Sequence, residues 1–108
     1  MAPWNNRCGG YVNTVKPDPV TDYAITLHAM MEMQRRGLDE ATVRSVLSAP
    51  GQRRQVRLGR VVLQSRITLG APSREYLVRV FVDVDRRPAD VITVYLTSKI
   101  AKYWKEEE

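Results

Sequence analysis

The sequence predicts an α+β fold: two N-terminal helices packed on a four-stranded antiparallel sheet, with a short C-terminal helix. Three observations lead there. Apolar residues recur at helical spacing up to Gly37 and again between Asp39 and Ser48. From Arg53 onward β-branched residues dominate and the period falls to two. The connections between the expected strands are short, which implies an antiparallel meander with the helices layered on one face.

Each element follows from its residues. Positions 1 to 20 read as a flexible tail, because the prolines of Lys16-Pro17-Asp18-Pro19 push their predecessors into extended geometry. The single domain is then expected over 21–106. The first helix starts at Thr21 or Thr26 and runs to Arg36, with Gly37 as a left-handed stop. On its wheel Leu27, Met30, Met31 and Gln34 share one side, with Met33 at the border, and His28, Glu32, Arg35 and Arg36 share another. Asp39 caps a second helix to about Ser48, whose apolar side is Val43, Val46 and Leu47. Pro50-Gly51 ends it.

Strands are predicted near Gln52–Leu58, Arg60–Leu69, Glu75–Asp83 and Asp90–Thr97. Turns fall at Gly59, at Gly70-Ala71-Pro72-Ser73 and at Asp85-Arg86-Arg87-Pro88. A last helix over Ser98–Glu107 is expected to fray, because Glu106–Glu108 oppose its dipole.

Composition bounds the function. With 108 residues, 44% hydrophobic and 27% charged, the chain suits one globular domain. No apolar run approaches the ~20 residues of a membrane helix. The N-terminus lacks a signal peptide pattern, and Cys8 is the sole cysteine, so a cytoplasmic location is expected. The net charge is +5, carried by 13 Arg and 4 Lys. Arginine grips phosphate with a planar fork, so an Arg-rich surface favours a polyanion. Between Arg35 and Arg66 eight arginines face only two acids, Asp39 and Glu40.

Strand alternation selects the candidates. If the greasy sides meet the helices, Gln64, Arg66, Thr68, Arg79, Phe81, Thr93 and Tyr95 decorate an open sheet face. Cations beside rings suit unpaired RNA, although any half-solvated sheet face carries Thr, Arg and Tyr. Arg35, Arg57, Phe81, Thr93 and Lys99 are expected to line the RNA path. His28 is a general-base candidate one turn before Glu32, or else a structural histidine at a helix start. P-loop, dinucleotide and Gly-x-Ser-x-Gly patterns are missing, and one His with one Cys leaves a zinc site without ligands. No metal or cofactor is expected.

The segment His28-Ala29-x-x-x-Met33-x-x-Arg36-Gly37-Leu38, followed by Asp39 and a helix with Val43, resembles the opening of a bacterial family of unknown function. Val91-Ile92-Thr93-Val94-Tyr95 matches that family's Val-Thr-Val-Tyr-like strand. The family looks like a branch of the RelE/ParE-like toxin superfamily, related to BrnT-type toxins. The resemblance covers about residues 23–100. It implies a RelE-like two-layer sandwich, a toxin-like metal-independent endoribonuclease acting on RNA, free or on the ribosome, and a cognate antitoxin. His28 and Arg36 carry over by motif as catalytic residues, while Arg66, Arg79 and Tyr95 join them from sheet-face geometry. Where the family has its first arginine this chain has Glu32, which either removes a cation from the site or gives His28 a carboxylate partner. Two competing readings keep the same fold: a non-catalytic nucleic-acid-binding module, and a protein-interaction domain whose arginines meet an acidic partner.

Overall fold

The computed structural model describes residues 17–105. Residues 1–16 of the tail expected over 1–20, with Cys8, and the expected fraying of Glu106–Glu108 lie outside the described residues. The elements run β1 (Tyr23–Ile25), α1 (Leu27–Arg36), α2 (Glu40–Ser48), β2 (Gln52–Arg57), β3 (Arg60–Leu69), β4 (Arg74–Asp83), β5 (Ala89–Thr97) and α3 (Ile100–Tyr103). The strands form one five-stranded sheet in the order β1-β5-β4-β3-β2.

The expected four-stranded antiparallel sheet is therefore corrected to a five-stranded mixed sheet. β2 to β5 form the meander, but β1 joins the far edge parallel to β5, with Tyr23 opposite Ala89 and Ile25 opposite Val91. Three residues are too few to show alternation, so β1 left no periodic signal. Tertiary bonds make it a strand. The Ala89 amide donates to the Asp22 carbonyl at 3.0 Å, and both the amide and the hydroxyl of Thr26 donate to the Val91 carbonyl, at 3.1 and 2.9 Å. The same Thr26 hydroxyl accepts the Ala29 amide as the α1 N-cap. One side chain thus fixes the end of β1 and the start of α1 onto β5.

The helix ends follow the residues that announced them. Gly37 takes φ 68° and closes α1, and the Asp39 carboxylate accepts the Thr42 amide at 2.8 Å. Gly59 takes φ 83° in the β2–β3 turn. Of the stretch read as tail, Val20 is buried and its amide donates to the Leu47 carbonyl at 2.8 Å.

The core lies between the helices and one sheet face: Val43, Val46 and Leu47 of α2 meet Val61, Leu63, Val78, Val80, Val82, Val91 and Val94. Two face assignments change. The α1 side carrying Leu27, Met30 and Met31 is exposed, and the helix packs instead through Ala29, Met33 and Glu32. Ala29 is small enough for close approach to β5, so the wheel's greasiest side is not its contact side. A β-bulge in β5 pairs Phe81 with Thr93 but Val82 with Val91, so Val91 joins the core and Ile92 is the extra residue.

Candidate functional site

The sheet face away from α1 and α2 is not fully open. The chain after β5 turns back over it through α3, a single turn far shorter than the expected Ser98–Glu107 helix. Between that turn, the C-terminal end of α1 and the strands lies a cleft of about 370 Å³. Arg36, Arg79, Phe81, Thr93, Val94, Tyr95 and Tyr103 line it.

A row of paired residues across four strands builds the floor: Gln52 opposite Gln64, Gln64 opposite Arg79, Arg79 opposite Tyr95. Side chains in register share one face, so they touch. Arg79 Nε donates to Gln64 Oε1 at 2.9 Å. Gln64 Nε2 donates to Gln52 Oε1 at 2.8 Å and to the Tyr103 carbonyl at 3.2 Å. Gln52 Oε1 also accepts the Lys105 amide at 3.2 Å, and Gln52 Nε2 donates to the Lys105 carbonyl. Gln64 is fully buried and Gln52 nearly so. The two amides hold α3 on the sheet and commit Arg79 Nε, while its terminal guanidinium nitrogens make no hydrogen bond among the described residues.

Aromatic rings flank the cations. The Arg79 guanidinium carbon lies 4.3 Å from the Tyr103 ring centroid and 5.2 Å from that of Phe81. Arg36 lies 5.0 Å from the Tyr95 centroid, and the Tyr95 and Tyr103 rings meet edge to face at 6.0 Å. Glu32, nearly buried, anchors Arg36 at 3.1 Å and Arg35 at 2.8 Å. The Glu32 carboxylate thus serves the arginines of its own helix rather than His28. Among the described residues Arg36 Nε is buried without a hydrogen-bond partner.

The electrostatics differ from those of a solvated surface. Desolvation pulls the Arg79 guanidinium below its ordinary value, opposed by the phenols of Tyr103 and Tyr95. It is still a cation at neutral pH. The Tyr103 phenol is held below the usual tyrosine value, first by a hydrogen bond from Tyr95 and then by the charges of Lys102 and Arg79.

Of the predicted catalytic set, the structure brings Arg36, Arg79 and Tyr95 together, with Phe81 and Thr93 from the predicted RNA path. It does not bring His28 or Arg66 there. His28 sits exposed in the first turn of α1 and does not line the cleft. Arg66 is exposed beside Trp104. Arg35 and Arg57 are exposed outside the cleft, and Lys99 precedes α3 as its N-cap, also exposed. Sequence reasoning placed Gln64 on the face that carries the site without giving it a role, and missed Tyr103 and Gln52. The signal for Tyr103 was an aromatic pair, Tyr103-Trp104, set among Lys99, Lys102 and Lys105.

A family model described as a domain of unknown function, DUF4258, matches residues 25–96. No curated protein and no solved structure matches the chain. No helix among the described residues is long and apolar enough to cross a membrane.

Proposed function

Starting from the chain's membership of the DUF4258 family, whose description names no activity, we propose that the cleft binds single-stranded RNA and cleaves it without a metal. One observation carries the reading: two guanidinium groups, Arg36 and Arg79, and two phenols whose rings meet edge to face, Tyr95 and Tyr103, converge in one cleft. Arginine supplies paired donors to a phosphodiester, and rings stack on unpaired bases. The motif likeness to RelE/ParE-like and BrnT-type toxins points the same way, toward a cytoplasmic RNA target and an antitoxin partner.

The chemistry runs on this chain's own groups. Phosphate held by Arg79 and Arg36 sets the neighbouring ribose 2′-oxygen in line with phosphorus. The deprotonated fraction of Tyr103, enlarged because the phenol is held below the usual tyrosine value, takes the 2′-hydroxyl proton while that oxygen bonds phosphorus. The extra negative charge on the five-coordinate phosphorus falls on the two guanidinium groups. The bond from phosphorus to the 5′-oxygen breaks, and Tyr95 protonates the departing oxygen. The proton taken by Tyr103 then returns to the neighbouring Tyr95, restoring both groups. The products are a 2′,3′-cyclic phosphate and a 5′-hydroxyl, with atoms and charge balanced.

The test is end-labelled single-stranded RNA incubated with the full chain in excess chelator. Cyclic-phosphate products from the wild type, lost in Arg79→Ala and Tyr103→Phe, are expected. Salt-dependent binding with intact RNA would remove the catalytic half of the reading and leave a binding module.

A further inference from the structure

Arg66, expected at the reacting centre, stands instead beside the cleft, and its surroundings are built. Its guanidinium carbon lies 4.8 Å from the centroid of the Trp104 ring. Trp104 directly follows Tyr103, so the cleft wall and this second ring belong to one segment. The Trp104 amide donates to the Ile100 carbonyl at 2.8 Å. The indole is seated against Gly51, where an added Cβ would come within 2.8 Å of Trp104 Cη2. Gly51 itself is tied to β3, its amide donating to the Gln64 carbonyl and the Ser65 hydroxyl, both at 3.0 Å. The ring is therefore seated against Gly51 along one edge, with the Arg66 guanidinium over it.

Arg66 shares its strand face with Gln64, two residues earlier, whose register row contains Arg79 and Tyr95. The arginine–ring pairs step across the sheet: Arg36 with Tyr95 at β5, Arg79 with Tyr103 at β4, Arg66 with Trp104 at β3. Neighbouring strands are ~4.8 Å apart, so a polymer crossing the strands meets the pairs in order. Among the described residues Arg66 makes no ion pair, in contrast to Arg36, Arg60 and Arg86. One side of its guanidinium rests on the indole and the other is open to solvent.

We propose that Arg66 and Trp104 form a second subsite, which takes the nucleotide adjacent to the one held in the cleft. The ligand class is thereby narrowed to RNA with at least two consecutive unpaired nucleotides, the second base stacking on the Trp104-backed guanidinium. A paired base has no free face at such a platform. The inference rests on the cleft being an RNA site.

The experiment compares a single-stranded hexanucleotide with a dinucleotide, on the full chain, for wild type, Arg66→Ala, Arg66→Lys and Arg79→Ala. Arg66 is exposed, so its variants keep the fold. The expected result is a fall of about tenfold in the ratio of hexanucleotide to dinucleotide affinity in Arg66→Ala, the scale of one stacked base. Arg79→Ala should weaken both lengths together. In a Trp4→Phe background, the remaining indole emission should be quenched by the hexanucleotide. A wild-type ratio in Arg66→Ala, with Arg79→Ala still weakening both, would overturn the subsite and leave the cleft reading standing. Full rescue by Arg66→Lys, or a blunt RNA duplex competing as well as the hexanucleotide, would also overturn it. A wild type that binds neither length would end both readings.

Discussion

Replacing Gln64 by leucine removes the centre of the row beneath the cleft while nearly keeping its volume. The side chain is fully buried and makes three hydrogen bonds: from Arg79 Nε at 2.9 Å, to Gln52 Oε1 at 2.8 Å and to the Tyr103 carbonyl at 3.2 Å. The two neutral bonds are worth ~0.5–1.5 kcal/mol each, and the one from a charged donor ~1.5–3 kcal/mol. Leucine's buried methyl groups return about 1–2 kcal/mol. The net loss is about 2–4 kcal/mol, or a Tm lower by ~10–20 °C for a domain of this size. Thermal unfolding by circular dichroism, with urea titration at 25 °C, measures it. RNA affinity should fall with it, because Arg79 loses the contact that aims it. In an Arg79→Ala background Gln64→Leu should cost no further affinity, though it still lowers stability. A Tm within about 4 °C of wild type would refute the claim that this row clamps α3 to the sheet. A further loss of affinity in the Arg79→Ala background would refute the claim that Gln64 acts through Arg79.

Other outcomes test separate parts of the structure. The Tyr103 phenol is held low, so in an absorbance titration near 295 nm one tyrosine should ionise before the rest; Tyr103→Phe should remove that step and Tyr95→Phe should move it upward. A depressed folded value stabilises the fold above the ordinary tyrosine value and loses that contribution as pH falls through the lowered one. Asp83 is held below the usual carboxylate range by its hydrogen bond to Arg60 and by the charges of Arg60, Arg86 and Arg57. Its contribution is present at neutral pH and lost as pH falls through that lowered value, so the Tm deficit of Asp83→Asn should close on acidification. Among single arginine variants, Arg79→Ala should weaken RNA binding by tenfold or more and reduce the salt slope by ~0.7. Arg44→Ala, on α2 away from the cleft, should leave binding near wild type, as measured by fluorescence anisotropy.

Much of the site was legible because strand alternation is a local property. Arg79, Phe81, Thr93 and Tyr95 were placed on one face by period-two reading, and short turns made their strands neighbours. Asp39 and Gly37 announced helix ends by chemistry that depends only on nearby backbone. What escaped was decided over long sequence separations. β1 exists because Asp22 meets Ala89 and Thr26 meets Val91, each across about 65 residues. α1 turned its Ala29 side inward because close approach to β5 outweighed burying Leu27, Met30 and Met31. The β5 bulge broke the alternation in mid-strand and moved Val91 into the core. α3 closes the cleft because Gln52 and Gln64, polar residues in a sheet, accept burial only by bonding Tyr103 and Lys105. No periodicity reports such a pair.

The central claim is that RNA lies between Arg36, Arg79, Tyr95 and Tyr103. Photo-crosslinking of 4-thiouridine RNA to the full chain, followed by peptide mass spectrometry, reads the contact directly. Cross-links should concentrate on peptides containing Phe81, Tyr95 and Tyr103, and diminish in Arg79→Ala. Cross-links confined to the opposite side, around the cavity lined by Val20, Tyr23, Arg44 and Ser48, would contradict the account.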